Sequence, residues 1–137
     1  MPAPHRQPRA MNRVGLETIA RFFLDPAGRI SREEYALGIG FLVAATTTLI
    51  LGAVNGEAES PALLGFAIIV SMPLFLSQLV LVAKRCHDLG LGGVYVLLLF
   101  VPMVGLFWLI VLGLVAGNPG TNAYGAPPRF LPGPGGA

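Results

Sequence analysis

Apolar residues fall along this chain in three long runs, with the polar residues gathered at their ends. No charged side chain occurs from Tyr35 to Val54, from Ala62 to Ala83, or from Leu89 to Ala116. A helix needs roughly 20 apolar residues to cross the ~30 Å hydrocarbon core of a bilayer, so spans are expected at about 35–54, 62–83 and 94–116. A different pattern precedes them. Leu16, Ile19, Ala20 and Phe23 recur at helical spacing, with Glu17, Thr18 and Arg21 off that face, which predicts an amphipathic helix over 14–24. Two placements fit such a helix. It lies in the membrane interface with Phe22 and Phe23 dipping in, or it packs on the protein's own surface.

The element ends carry their own signals. Asp25-Pro26-Ala27-Gly28 breaks the first helix. Ser31-Arg32-Glu33-Glu34 has the form of a capping box, with Ile30 and Tyr35 placed for a hydrophobic staple and Glu33 and Glu34 where the helix dipole favours negative charge. Asn55 to Pro61 reads as a turn between the first two spans. Pro73 predicts a kink in the second span. Gln78 is the deep amide there, suited to bonding between helices, while the Thr46-Thr47-Thr48 hydroxyls can bond back to their own helix.

The third run is too long for one untilted span. Assigning Gly90, Gly92 and Gly93 to the preceding turn leaves 94–116 as a single helix kinked at Pro102 and Gly105, which is the favoured form. The alternative is a re-entrant hairpin turning at Pro102-Met103-Val104-Gly105. It would bring the tail back to the side it left, and its backbone would have to be buried in protein. The expected organisation is thus a basic, disordered stretch over 1–13, one integral membrane domain over 14–125, and a disordered Pro/Gly-rich tail over 126–137. Met11 offers a second start, and no internal repeat is seen.

Composition agrees with the pattern. Of 137 residues, 54% are hydrophobic and 12% charged, against roughly 25% charged in soluble domains, and the mean hydropathy is +0.71. So short a chain cannot bury that much apolar surface in one core, so the fold class is an all-α membrane protein. Six basic residues (Arg6, Arg9, Arg13, Arg21, Arg29, Arg32) precede the first span, and Lys84 and Arg85 follow the second. The turn between them holds Glu57 and Glu59 and no cation. Positive flanks stay inside, which puts the N-terminus in the cytoplasm. No apolar segment directly follows the first basic residues, so the first span is expected to be an uncleaved anchor.

Charge and chemistry exclude several classes. A net charge of +2 and a pI near 9.1 suggest nucleic acid, yet the cations flank apolar spans without interleaved aromatics, so none is expected. Cys86 is the lone cysteine, so no intramolecular disulfide forms. Only Cys86 and His87 lie close together as metal-ligand types, which gives no metal site. The glycines after Gly117 lack a following Gly-Lys-Ser/Thr, so no phosphate loop, and no cofactor of any kind, is implied.

Three polar islands remain: Gly28-Arg29-Ile30-Ser31-Arg32-Glu33-Glu34-Tyr35, Lys84-Arg85-Cys86-His87-Asp88-Leu89-Gly90, and Gly117-Asn118-Pro119-Gly120-Thr121-Asn122-Ala123-Tyr124-Gly125. In this order, with Pro102-Met103-Val104-Gly105 inside the third run, they resemble the domain of unknown function 805 family of small bacterial inner-membrane proteins. The resemblance spans about residues 20–128. It implies a multi-pass protein of the bacterial inner membrane and brings no assigned activity. Three positions depart from the family pattern. Tyr35-Ala36 stands for an aromatic pair, Gly92-Gly93-Val94-Tyr95 replaces a Trp-rich start to the third run, and Ala123 stands where the family tends to carry Arg. The missing tail cation weakens anion binding by Asn122 and Tyr124.

These islands support three readings. Arg29 and Arg32 are placed to meet His87 and Asp88, with Arg85 beside them, as a polar cluster at the cytoplasmic face. As a structural clasp, that cluster would pair Arg85 and Asp88 with the first span, while Gly90 ends the second. As a binding site, it would hold an anionic lipid head group or small ligand. His87, Asp88 and Cys86 also have the residue types of acid, orienter and nucleophile, but adjacent helical positions point about 100° apart. No catalytic residue is assigned, and a non-enzymatic structural or interaction protein is expected. Its partners would be the bilayer, anionic lipids, and a second copy or another membrane protein. An oligomeric transporter fits less well, since nothing marks a midplane site with an inverted repeat.

Overall fold

The computed structural model describes residues 10–55 and 61–128. Most of the expected N-terminal and C-terminal disordered stretches, and the Glu57 and Glu59 turn, lie outside the described residues. Among these residues the regular elements are all helical: α1 (Ala10–Leu24), α2 (Arg32–Val54), α3 (Pro61–Asp88), a 3₁₀ segment (Gly93–Phe100) and α4 (Pro102–Leu114).

Local chemistry explains each boundary. Ser31 caps α2: its Oγ accepts from the Glu34 N–H at 3.2 Å, and the Glu34 carboxylate accepts from the Ser31 N–H at 2.8 Å. The staple residues Ile30 and Tyr35 are both buried in one apolar cluster with Leu42, Leu81, Val82, Cys86 and Leu112. Gly90, at φ +77°, ends α3. The Gly90 N–H donates to His87 O at 3.0 Å and the Leu91 N–H to Cys86 O at 2.8 Å, the paired bonds of a left-handed glycine cap.

α2 and α3 are long and apolar enough to cross a membrane. The 28 residues of α3 extend roughly 42 Å. Large apolar side chains cover their outer faces, among them Leu37, Phe41, Leu51, Phe66 and Ile69, each more than half exposed. A soluble monomer rarely shows so much contiguous apolar surface, whereas hydrocarbon accepts it. The pair is held where Gly38 meets Leu81: a Cβ on Gly38 would stand 2.5 Å from Leu81 Cδ2. Gln78 Nε2 donates to Thr46 Oγ1 at 3.2 Å across the same interface. Ser77 Oγ donates to the Pro73 carbonyl at 3.0 Å, within α3.

The third apolar run is not one kinked helix. It runs out as the 3₁₀ segment, turns at Val101, and returns as the 13-residue α4. The two limbs meet at the end they started from, where the Asn118 N–H donates to the Asp88 carbonyl at 2.9 Å. At the tip, the Phe100 and Phe75 ring centres are 6.4 Å apart. Phe75 lies roughly 20 Å along α3 from Asp88, so the hairpin is too short to cross a ~30 Å hydrocarbon layer. Pro102 opens α4 at the position where a missing N–H costs no helical bond.

Gly105 permits the reversal. A Cβ there would stand 2.8 Å from Leu99 O and 2.9 Å from Leu99 Cα, backbone atoms that cannot swing aside. Gly105→Ala should therefore destabilise the protein by about 1–3 kcal/mol through overpacking. Thermal melting of the purified protein in detergent checks this, and an unchanged midpoint would mean the two limbs part freely.

Candidate functional site

The polar residues converge at the end of the molecule where α2 begins and where α3 and α4 end. Asp88 is the centre. One carboxylate oxygen accepts from Arg29 Nε at 3.0 Å, with Arg29 Nη2 at 2.9 Å from the same oxygen. The other accepts from Arg85 Nη1. The side chains of Arg29, Arg85 and Asp88 are 1%, 0% and 3% exposed, so the three charges are withdrawn from water and must satisfy one another.

Both arginines direct their remaining donors at main-chain carbonyls. Arg85 Nε donates to Leu112 O at 2.8 Å and its Nη2 to Val115 O. These belong to the last turn of α4 and its cap, where carbonyls lack helical partners and the dipole favours a cation. A weaker bond runs from Arg85 Nη1 to Ile30 O at 3.4 Å. Arg29 donates to Gly120 O at 2.7 Å, to Gly125 O at 3.1 Å and to Asn118 O. It thus ties the loop after α4 to the segment before α2. Lys84 acts in the same way on α1, its ammonium donating to Arg21 O at 2.7 Å and Phe22 O at 3.0 Å. Three cations thereby cap or bind the ends of three other segments.

His87 and the tail form a second layer. The Asn122 side-chain amide donates to His87 O at 2.9 Å, and its oxygen accepts from the Tyr124 N–H at 2.9 Å. Tyr124 lies flat on the His87 imidazole, centroids 3.9 Å apart at 6°. His87 Nδ1 is 3.3 Å from Gly28 O. Gly28, at φ +86°, and Gly125, at φ +117°, supply the left-handed turns that aim these carbonyls inward.

Of the expected residues, the structure brings together Arg29, Arg85 and Asp88, with His87, Asn122 and Tyr124 packed beside them. Arg32 makes no bond to that group. Its side chain is 56% exposed and pairs with its neighbour, Glu33, at 2.8 Å. Nor does Arg85 pair chiefly with the first span; apart from Asp88 and the weak bond to Ile30 O, it serves α4 and its cap. The sequence reading did not assign Lys84, Asn118 or Gly117 a place. Gly117 leaves the room that the Asp88 carboxylate fills: a Cβ would stand 2.7 Å from Asp88 Cγ. Its signal was the Gly-x-x-Gly exit, whose first glycine has no positive φ to explain it.

Cys86 is fully buried within the apolar cluster, Asp88 is fixed by two guanidiniums, and His87 faces Gly28 and Tyr124, so the three do not share a space. A cleft of about 200 Å³ lies alongside, lined by Ser31, Arg32, Glu33, Arg85, Asp88 and Asn118 among others. Two cations, Arg32 and Arg85, and two carboxylates, Glu33 and Asp88, line it. Among the described residues, no three His, Cys, Asp or Glu side chains gather as metal ligands.

Comparison with known proteins finds relatives named as inner membrane proteins. A family model described as "Protein of unknown function (DUF805)" matches residues 23–126. The chain is 32% identical over 118 residues to inner membrane protein YhaI of Escherichia coli K12, covering 82% of this chain and 93% of the relative. It is 31% identical over 114 residues to inner membrane protein YhaH of the same strain, covering 77% of this chain and 88% of that relative. No solved structure matches.

Proposed function

The chain belongs to the DUF805 family of proteins of unknown function, and from that membership and the geometry of the clasp we propose that it is a multi-pass protein of the bacterial inner membrane with a non-enzymatic structural or interaction role. α2 and α3 cross the bilayer, and the 3₁₀–α4 hairpin dips into it and returns. The N-terminus, the clasp and the tail lie on the cytoplasmic side, as the cations flanking the spans favour.

One observation carries this reading. Arg29 and Arg85 aim their donors at Asp88 and at carbonyls of this same chain. A head-group site at those arginines would need donors free for phosphate, and acid–base chemistry would need a proton-transfer group within reach of a substrate. The clasp instead satisfies backbone groups that a broken helix leaves open at a membrane surface, where each unpaired group costs several kcal/mol if it is buried.

The experiment is the sidedness of the tail. A single cysteine at Thr121, in a Cys86→Ser background, should resist an impermeant thiol reagent in intact cells and react once the inner membrane is permeabilised. Labelling in intact cells, with the outer membrane made permeable, would put the tail outside and overturn both the hairpin and the shared cytoplasmic face.

A further inference from the structure

Burial is distributed unevenly along the two long helices. The buried residues of α2 are Tyr35, Gly38 and Leu42, all in its first half. Those of α3, Ala67 apart, lie between Ser77 and Asp88, towards its end. α4 adds Gly105 and Leu112. The far end of the α2–α3 pair has no comparable core among the described residues. Leu51, Val54 and Leu63 are exposed there, and the two helices leave an open groove between Leu49, Gly52, Leu63 and Phe66.

The hairpin accounts for the difference. Its tip, at Phe100, meets Phe75, which lies roughly 20 Å from Asp88 along a helix of roughly 42 Å. A bilayer with its head-group regions is about 40–45 Å thick. With Asp88 at one surface, the tip therefore stands near the middle. The returning limb is fixed to the same half, because the Tyr35 hydroxyl donates to Leu109 O at 3.3 Å and Arg85 Nε to Leu112 O at 2.8 Å. Among the described residues, four helical segments thus fill the half nearer the clasp: α2, α3, the 3₁₀ segment and α4. Only α2 and α3 fill the other half. With each helix about 10–12 Å across, the clasp half has about twice the cross-section. The last turn of α1, bonded to Lys84, widens that end further. On the hairpin, Leu97, Phe100, Met103, Leu106 and Phe107 are each more than half exposed, so its width is presented to the surroundings.

We propose that the molecule is a wedge in the bilayer, and that it prefers lipid surfaces that are convex on the clasp side. It displaces about twice as much lipid from the leaflet on that side as from the opposite one. A bilayer relieves such a mismatch by bending so that the crowded leaflet expands, the same asymmetry that makes helices lying in one leaflet sensitive to curvature. The partner is the bilayer itself, recognised by its shape and not by a head group. The clasp serves the wedge by keeping the hairpin closed on the α2–α3 pair. This inference deepens the structural role proposed above and rests on the hairpin placement given there.

Single-vesicle fluorescence tests it in the full-length protein. Thr121→Cys, in the Cys86→Ser background, carries a fluorophore, and the protein is reconstituted at low density into phosphatidylcholine–phosphatidylglycerol vesicles of mixed diameter. An impermeant quencher separates molecules whose clasp faces outward from those whose clasp faces inward. The outer leaflet of a vesicle is the convex one. Outward-facing molecules should therefore be several-fold denser per unit area in the smallest vesicles than in the largest, and inward-facing molecules should show the opposite trend. Trimming the exposed hairpin with Met103→Ala and Phe107→Ala should flatten both trends, with the melting temperature reporting that the variant is folded. Equal density at all diameters, or the same trend for both orientations, would overturn the wedge. Tail labelling in cells reads the hairpin separately. If the tail is protected in intact cells and the vesicles show no sorting, the topology stands and the wedge alone fails.

Discussion

Asp88→Asn should cost the folded protein about 3–5 kcal/mol, the penalty typical of breaking a buried ion pair from one side. The substitution keeps the shape of the side chain and removes its charge. Arg29 and Arg85, whose side chains are 1% and 0% exposed, would then be two buried cations sharing no anion. A domain is stable by roughly 5–15 kcal/mol, so a large part of the margin goes. The measurement is the amount of protein accumulating in the membrane together with its melting temperature in detergent, both expected to fall sharply. Arg32→Gln is the control, since its exposed pair with Glu33 is screened by solvent and its loss should leave both readings near wild type. Wild-type accumulation and melting of the Asp88→Asn protein would refute the clasp.

The contrast between these two arginines shows where the sequence was legible. Ser31 and Glu34 are three residues apart, so their capping box could be read directly and is formed. The helix ending at Gly90 could be read from one residue's conformational freedom. Likewise, counting apolar residues between charges locates α2 and α3, although α2 begins earlier, at Arg32, and α3 runs on through the charged residues to Asp88. Each of these is decided within a few residues. Arg29 and Arg32 have the same chemistry and nearly the same sequence position, yet one is buried on Asp88 and the other lies in solvent. That choice depends on the direction in which the Gly28 turn and the first turn of α2 send each side chain, and no periodicity records it.

The third run failed to read for a related reason. Pro102 and Gly105 announce a break, but a kink and a reversal leave the same local signature. The reversal is decided by partners far away in sequence: Arg85 on Leu112 and Val115, Asp88 on Asn118, and Phe75 on Phe100. The short length of α4 points the same way, because thirteen residues rise only about 20 Å. Lys84 was hidden by its company. Among five reactive side chains it looked like part of a membrane-flanking charge, whereas its bonds go to carbonyls of α1.

Gly117→Ala should be nearly as harmful as loss of the carboxylate itself. A methyl group at Gly117 would stand 2.7 Å from Asp88 Cγ and 3.0 Å from its Oδ1, and closer still to Oδ2. The carboxylate cannot turn aside without releasing Arg29 or Arg85, so overpacking and a broken ion pair come together, at about 3 kcal/mol or more. A glycine kept for its backbone alone would behave differently. Gly117 has no positive φ, so alanine should be strain-free there, and where nothing obstructs it the exchange is mildly stabilising, by about 0.4–1 kcal/mol. The double variant separates the two. With Asp88→Ala already in place the obstruction is gone, and Gly117→Ala should add little or no further loss. Such non-additivity, of up to about 3 kcal/mol, is the mark of two residues acting through one contact. Melting temperatures of the four proteins supply the cycle, and simple addition of the two losses would mean that Gly117 serves something other than the seat of Asp88.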